Sequence, residues 1–144
     1  MDAGEAIARE QIRDVISRYN HAGDRGDLEA LVACFIENGV LDLVDTGELI
    51  GRDAIRRHLG SVVQRLAGRT QRALLRHHVS SVKIDLDGPH DARAASYFLV
   101  FTEIGLDHWG RYGDVFTQAG GQWRIARRKV RVDGAVPDSQ MLAR

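Results

Sequence analysis

From His77 to Val132 the chain offers four strand-length segments in succession, each parted from the next by a short turn, and this run constrains everything else. His77 to Leu86 alternates most clearly at Val82, Ile84 and Leu86, the two-residue period of a strand with one buried face. Asp87-Gly88-Pro89-His90 is a turn, and Arg93 to Glu103 follows it, rich in aromatic and branched residues. Gly105-Leu106-Asp107-His108 turns the chain into Trp109 to Gln118, and Gly120-Gly121 turns it again into Gln122 to Val132. Turns this short join antiparallel neighbours, so the run predicts a meander. Such a sheet must bury one face against something else.

The first part of the chain supplies that cover. Ile7, Ala8, Ile12, Val15, Ile16, Tyr19 and Ala22 recur at steps of three and four, predicting one amphipathic helix over about 5–22, ended by Gly23. Asp27 can cap a second, short helix carrying Leu28, Leu31, Val32 and Phe35, with Asn38-Gly39 to break it. Val40–Val44 and Glu48–Ile50 flank Asp45-Thr46-Gly47 as a hairpin. Asp53 is placed to cap a third helix with Ile55, Leu59, Val62, Val63 and Leu66 on one side. Helices grouped ahead of a run of strands predict an α+β architecture. Three N-terminal helices on a strongly curved, mostly antiparallel sheet make a cone with an interior pocket. The 144 residues read as one domain with a core over about 5–133 and a tail over 134–144. That tail, polar and interrupted by Pro137, is expected to be poorly ordered.

Charge excludes one class of partner. Twenty basic residues balance twenty acidic ones, so the basic excess of a nucleic-acid binder is missing. Only Lys83 and Lys129 are lysines; the other basic residues are arginine, which reads either as carboxylate recognition or as codon usage. No stretch approaches the roughly 18 apolar residues of a membrane span, so no membrane partner is expected. Met1–Glu10 is charged and carries no apolar signal segment, and the lone Cys34 allows no intrachain disulfide; a cytoplasmic protein is expected. Cys34 sits in the apolar run 31–36 and reads as a buried small residue rather than a nucleophile. No His-x-His, His-Glu-x-x-His or Cys-rich spacing offers a metal site, and no glycine-rich phosphate loop or nucleophile elbow appears, so neither metal nor cofactor is expected.

Five punctuating segments carry a resemblance. They are Tyr19-Asn20-His21-Ala22-Gly23-Asp24-Arg25-Gly26-Asp27, Gly51-Arg52-Asp53-Ala54-Ile55, Arg76-His77-His78-Val79-Ser80-Ser81, Gly110-Arg111-Tyr112-Gly113-Asp114 and Trp123-Arg124-Ile125-Ala126-Arg127-Arg128. In that order the chain resembles the SnoaL-like branch of the NTF2-like superfamily. The resemblance is greatest to the subgroup holding scytalone dehydratase, a bile-acid dehydratase and a hexachlorocyclohexane dehydrochlorinase. Polyketide cyclases and ketosteroid isomerase share the fold more distantly, as do non-catalytic members such as oxygenase small subunits. The resemblance implies a small cofactor-free enzyme, a dehydratase or dehydrohalogenase acting on a hydrophobic, cyclic small molecule. A cyclase or ketosteroid-isomerase-like isomerase is one alternative, and a ligand-binding or assembly protein without activity is another. Relatives form trimers or dimers, and Trp109, Phe116 and Trp123 are candidates to cover an apolar convex face in such a homo-oligomer.

The resemblance also implies site residues. Asp24 matches the Asp that ends helix one and holds a His on the sheet, and His77 matches that His. A carboxylate on one imidazole nitrogen fixes the tautomer and supports the imidazolium as the other nitrogen takes a proton. Asp24 equally fits a turn, since Gly23-Asp24-Arg25-Gly26-Asp27 is rich in turn formers. Tyr19 stands where relatives bond a substrate oxygen, or belongs to the buried stripe of helix one. Arg128 stands where some relatives place a pocket Arg able to steady an oxyanion, or lies on a solvated strand face with Arg124, Arg127 and Arg131. His78 rivals His77, because strand neighbours point to opposite faces. Tyr112 and Asp114 share one face of their strand, and Tyr97, Phe101 and His108 complete the candidates for contacting a substrate. The further acid of the bile-acid dehydratase is not evident in 97–102, where only Glu103 lies beyond.

Overall fold

In a computed structural model, which describes residues 1–68 and 74–142, the apolar stripe of the N-terminal segment becomes helix α1 (Ala3–Arg25). Asp2 starts it through a capping box: its carboxylate accepts from Glu5 N (2.8 Å), and Glu5 accepts from Asp2 N (2.9 Å). The helix does not end at Gly23. It runs one turn further and stops at Gly26, whose φ of 71° only glycine adopts without cost. Asp24 therefore lies in the last helical turn. Asp27 caps helix α2 (Leu28–Val32) by accepting from Ala30 N, as expected.

Strand β1 (Phe35–Leu43) starts earlier than expected, so Asn38-Gly39 breaks no helix; it lies inside the strand, where the register against the last strand shifts. Strand β2 (Gly47–Ile50) completes the hairpin. Helix α3 (Arg52–Ala67) is capped by Gly51 without a side-chain bond; Asp53 instead pairs with Arg56 at 2.6 Å one turn on. Strands β3 (Arg76–Leu86), β4 (Asp91–Thr102), β5 (Gly105–Ala119) and β6 (Gln122–Ala135) form the meander. The six strands order as β2-β1-β6-β5-β4-β3 in an open sheet, antiparallel except for the β1–β6 pair. Helix α1 packs across the inner face, touching both β3 and β6. No helix among the described residues is long and apolar enough to cross a membrane.

Bulges bend the sheet and reset which residues face α1. On β3, Ser80 pairs with Tyr97 but Lys83 with Ala95, so one residue is extra, and Ser81 there has φ 51°. On β5 the pairing skips from Leu106 to His108 and leaves Asp107 extra. On β6 it skips from Ile125 to Arg127 and leaves Ala126 extra.

The core lies between α1 and the sheet, around Ile12, Ile16, Phe35, Leu41, Phe116 and Ile125. Phe116 and Trp123, expected on the convex face, are buried in this core because their parity points inward; Trp109 is half-buried. Apolar residues that do face outward include Tyr97, Leu99 and Phe101 of β4, Leu106 and Val115 of β5, and Val132 of β6. As far as residue 142 the tail folds back against the sheet. Strand β6 continues to Ala135, Val136 N donates to Asp107 O (3.0 Å), and Met141 packs against Leu75, Phe98, Val100 and Tyr112. Ala143 and Arg144 lie outside the described residues.

Candidate active site

Asp24, on the last turn of α1, reaches the first strand of the meander. Its Oδ1 lies 2.6 Å from His77 Nδ1, and its Oδ2 accepts from the backbone N of the same residue at 3.0 Å. A carboxylate bound twice to one residue fixes both the position and the orientation of the ring. With Asp24 ionised, Nδ1 carries the hydrogen and Nε2 offers its lone pair. Both side chains are mostly buried without being sealed, 13% exposed for Asp24 and 19% for His77. Asp24 is therefore not merely a turn former.

The Ser81 bulge decides between the neighbouring histidines. Counting back by two from Ile84 and Val82 puts His78 inside, whereas the extra residue puts His77 inside and His78 outside. His78 is exposed and meets Phe101 edge to face (5.1 Å between ring centroids) on the outer surface. Tyr97 and Phe101, 58% and 36% exposed, share that surface. These three candidates for substrate contact thus stand on the face opposite His77, because odd positions of β4 point outward while Ser96, Phe98, Val100 and Thr102 point in.

Deeper in, Arg128 is fully buried rather than solvated, since the Ala126 bulge turns it inward. It makes a two-pronged pair with Asp114, each N–O distance 2.8 Å. Its guanidinium lies between two rings, 4.3 Å from the Tyr19 centroid and 3.9 Å from that of Tyr112. Burial alone would lower the Arg128 pKa, but Asp114 holds it above the ordinary value, so the charge stays. Burial pushes the Tyr19 and Tyr112 hydroxyls up, with Arg128 pulling back. Tyr112 donates to Asn20 Oδ1 at 3.2 Å, and Arg128 Nη1 and Asn20 Nδ2 have no hydrogen-bond partner among the described residues.

A second carboxylate–imidazole pair lies beside the first. His108 Nδ1 stands 2.8 Å from Asp107 Oδ1, and both residues are buried. Phe98 separates the two imidazoles, its centroid 6.5 Å from that of His77 and 6.1 Å from that of His108, and it stacks on Tyr112 at 4.7 Å. Asp107 also accepts from Thr102 Oγ1, Ser139 Oγ and Gln140 N. Asp107 and Asn20 were missed in the sequence, Asp107 because it read as part of a polar turn. His21 and His90 are exposed, and His58 lies half-buried on α3. Two cavities, of about 280 and 490 Å³, flank the other end of α1 around Gln11 and Trp123, away from both pairs. No cluster of three metal-ligating side chains occurs among the described residues.

The profile of the SnoaL-like domain family matches residues 4–129. No curated protein matches the chain significantly. Solved structures do. A provisionally assigned scytalone dehydratase from Novosphingobium aromaticivorans is 24% identical, with 100% of this chain and 99% of that one covered and a TM-score of 0.79. Rv3472 of Mycobacterium tuberculosis, of unknown function, is 27% identical over 96% of this chain and 79% of its own, with a TM-score of 0.78. A Catenulispora acidiphila protein in complex with S-DNPA is 27% identical over 89% and 95%, with a TM-score of 0.77. A Nostoc punctiforme relative in this set is described by its cystatin-like fold, the architecture found here.

Proposed function

Since the chain belongs to the SnoaL-like domain family, we propose that it is a cofactor-free lyase in which His77, oriented by Asp24, removes a proton beside a carbonyl of a hydrophobic cyclic compound; a halide then leaves as its anion, or a hydroxyl leaves as water by taking a proton back from the His77 imidazolium. The observation that carries this reading is the 2.6 Å approach of Asp24 Oδ1 to His77 Nδ1, reinforced by the backbone bond to the same carboxylate. It leaves Nε2 as a base with fixed direction at the accessible edge of the interior. Tyr19 is the proposed donor to the substrate oxygen; burial raises its hydroxyl pKa, and the Arg128 charge against its ring partly offsets that rise. Isomerisation or ring closure would begin with the same proton abstraction. The complex of the Catenulispora protein with S-DNPA supports a small-molecule ligand for this fold.

The test is turnover of a panel of cyclic hydroxy- and halo-ketones by the wild type, Asp24→Asn and His77→Ala. Each variant is expected to lose about 10²–10⁴-fold. Undiminished turnover by both variants would sink the mechanism. The close packing of Phe98, Tyr112 and Arg128 inside the cone favours a second reading, a protein that binds or assembles without reacting. That reading predicts no turnover by any form. We further propose that copies associate through the outward row of Tyr97, Leu99 and Phe101. Leu99→Glu is then expected to lower the mass measured by sedimentation equilibrium, and an unchanged mass would assign the interface elsewhere.

A further inference from the structure

The segment that follows β6 turns back over the His77 end of the cone. Val136 N donates to Asp107 O (3.0 Å), Ser139 Oγ (2.5 Å) and Gln140 N (2.6 Å) donate to the Asp107 carboxylate, and Arg65 of α3 donates to Met141 O (3.1 Å). These bonds seat the Met141 side chain on the cluster of Leu75, Phe98, Val100 and Tyr112, where Val79 also packs. The same residues frame His77. Leu75 and Val79 stand two places before and after it, on its own face of the chain. Val100 is its pairing partner on β4, and the Phe98 ring lies 6.5 Å from its own. Phe98 in turn stacks on Tyr112, which meets the Tyr19 ring edge to face at 6.3 Å. A ring that touches His77 Nε2 and the Tyr19 hydroxyl together therefore needs the ground that Met141 covers.

Val79, Phe98, Val100 and Tyr112 are held in place by strand pairing; Met141 is not. Past Ala135 no strand continues among the described residues, and three of the bonds that hold the segment end on one residue, Asp107. Such a segment opens locally at lower cost than the sheet does, and the unbranched methionine side chain adapts readily to a new position. We propose that residues 136–142 are a strap that shuts the site, with Met141 as its plug and Asp107 as its latch, so that a hydrophobic ring gains His77 and Tyr19 only when the strap lifts. This rests on the reading of His77 as the working base and adds to it the step that admits substrate. The close packing around Phe98 and Tyr112 then belongs to the shut state.

The experiment needs no substrate. Diethyl pyrocarbonate acylates the free nitrogen of an unprotonated imidazole, and at His77 that nitrogen is Nε2, since Nδ1 is bound to Asp24. The full chain and two variants, Met141→Ala and Ser139→Ala, are treated near neutral pH, and the label at each histidine is followed by mass spectrometry. Met141→Ala removes the plug and Ser139→Ala takes one charge-assisted bond from the latch, so each is expected to raise the open fraction, and with it the His77 rate, about tenfold. His78, one residue away on the opposite face, and His21 on α1 are both exposed and should keep their rates. A His77 rate unchanged in either variant, or a rise shared by His78 and His21, overturns the proposal. The readout is independent of turnover. A gated His77 with no ketone turned over removes the lyase and keeps the strap, whereas turnover by a His77 that ignores both variants removes the strap alone.

Discussion

A single residue pair shows how much the interior depends on complete partnership. Asp114 and Arg128 are both 0% exposed at their side chains, and each is the other's main counter-charge. Removing one member of such a pair leaves a naked charge in a dry site, whereas the intact pair adds little beyond what apolar packing would. Asp114→Ala is expected to cost about 3–5 kcal/mol in urea denaturation. Gly110 makes the same point through sterics. A Cβ there would lie 2.7 Å from Phe98 Cζ and still closer to Arg131 O, which, being backbone, cannot swing away. Gly110→Ala should cost about 1–3 kcal/mol by the same measurement, and because Phe98 separates His77 from His108, it should disturb both rings.

At the scale of the element, the extra residues in the strands matter most. Ser81 holds φ 51°, a conformation that costs an L-residue roughly 1–2 kcal/mol. Ser81→Gly should raise the unfolding free energy read from urea denaturation by up to about 1 kcal/mol while leaving His77 facing inward. The same bulges explain what could and could not be read in advance. The helix period of 7–22 and the strand run of 77–132 were legible because each repeats over several turns or pleats. Asp24 and His77 were legible through their match to relatives. The choice between His77 and His78, and the burial of Arg128, hang on parity, and one unpaired residue at Ser81 or Ala126 inverts parity with no sign in the local composition. Phe116 and Trp123 were misplaced outward for a different reason: unbroken alternation already sets Phe116 on the face of Tyr112 and Asp114, and Trp123 on that of Ile125. The contacts of the tail were not legible because their anchor, Asp107, lies about 30 residues upstream and looked like a turn former.

For the whole molecule, the buried titrating groups set the response to acid. His108 has a folded-state pKa below its ordinary 6.5, so the folded form binds fewer protons than the unfolded one. Its contribution is complete above pH 6.5 and is lost as pH falls from there through the depressed folded value. Stability to urea should therefore decline between pH 7 and pH 5, and His108→Gln should flatten that slope. The depressed pKa of Asp107 acts in the same sense at lower pH, below its ordinary 3.8. Neutralising it at pH 7 by Asp107→Asn should release the tail, seen as faster hydrogen exchange at the Gln140 amide. The bonds that define the interior also span long stretches of chain: Asp24 and His77 lie 53 residues apart, and Asn20 and Tyr112 lie 92 apart. Helix α1 can form from local contacts, but Asp24 cannot reach His77 until the chain has come round through α3 to β3, nor Asn20 reach Tyr112 until β5 has followed. On refolding, helical signal should thus return ahead of any His77-dependent activity, and a fragment that stops short of β3 would hold the helix that carries Asp24 and nothing for it to orient.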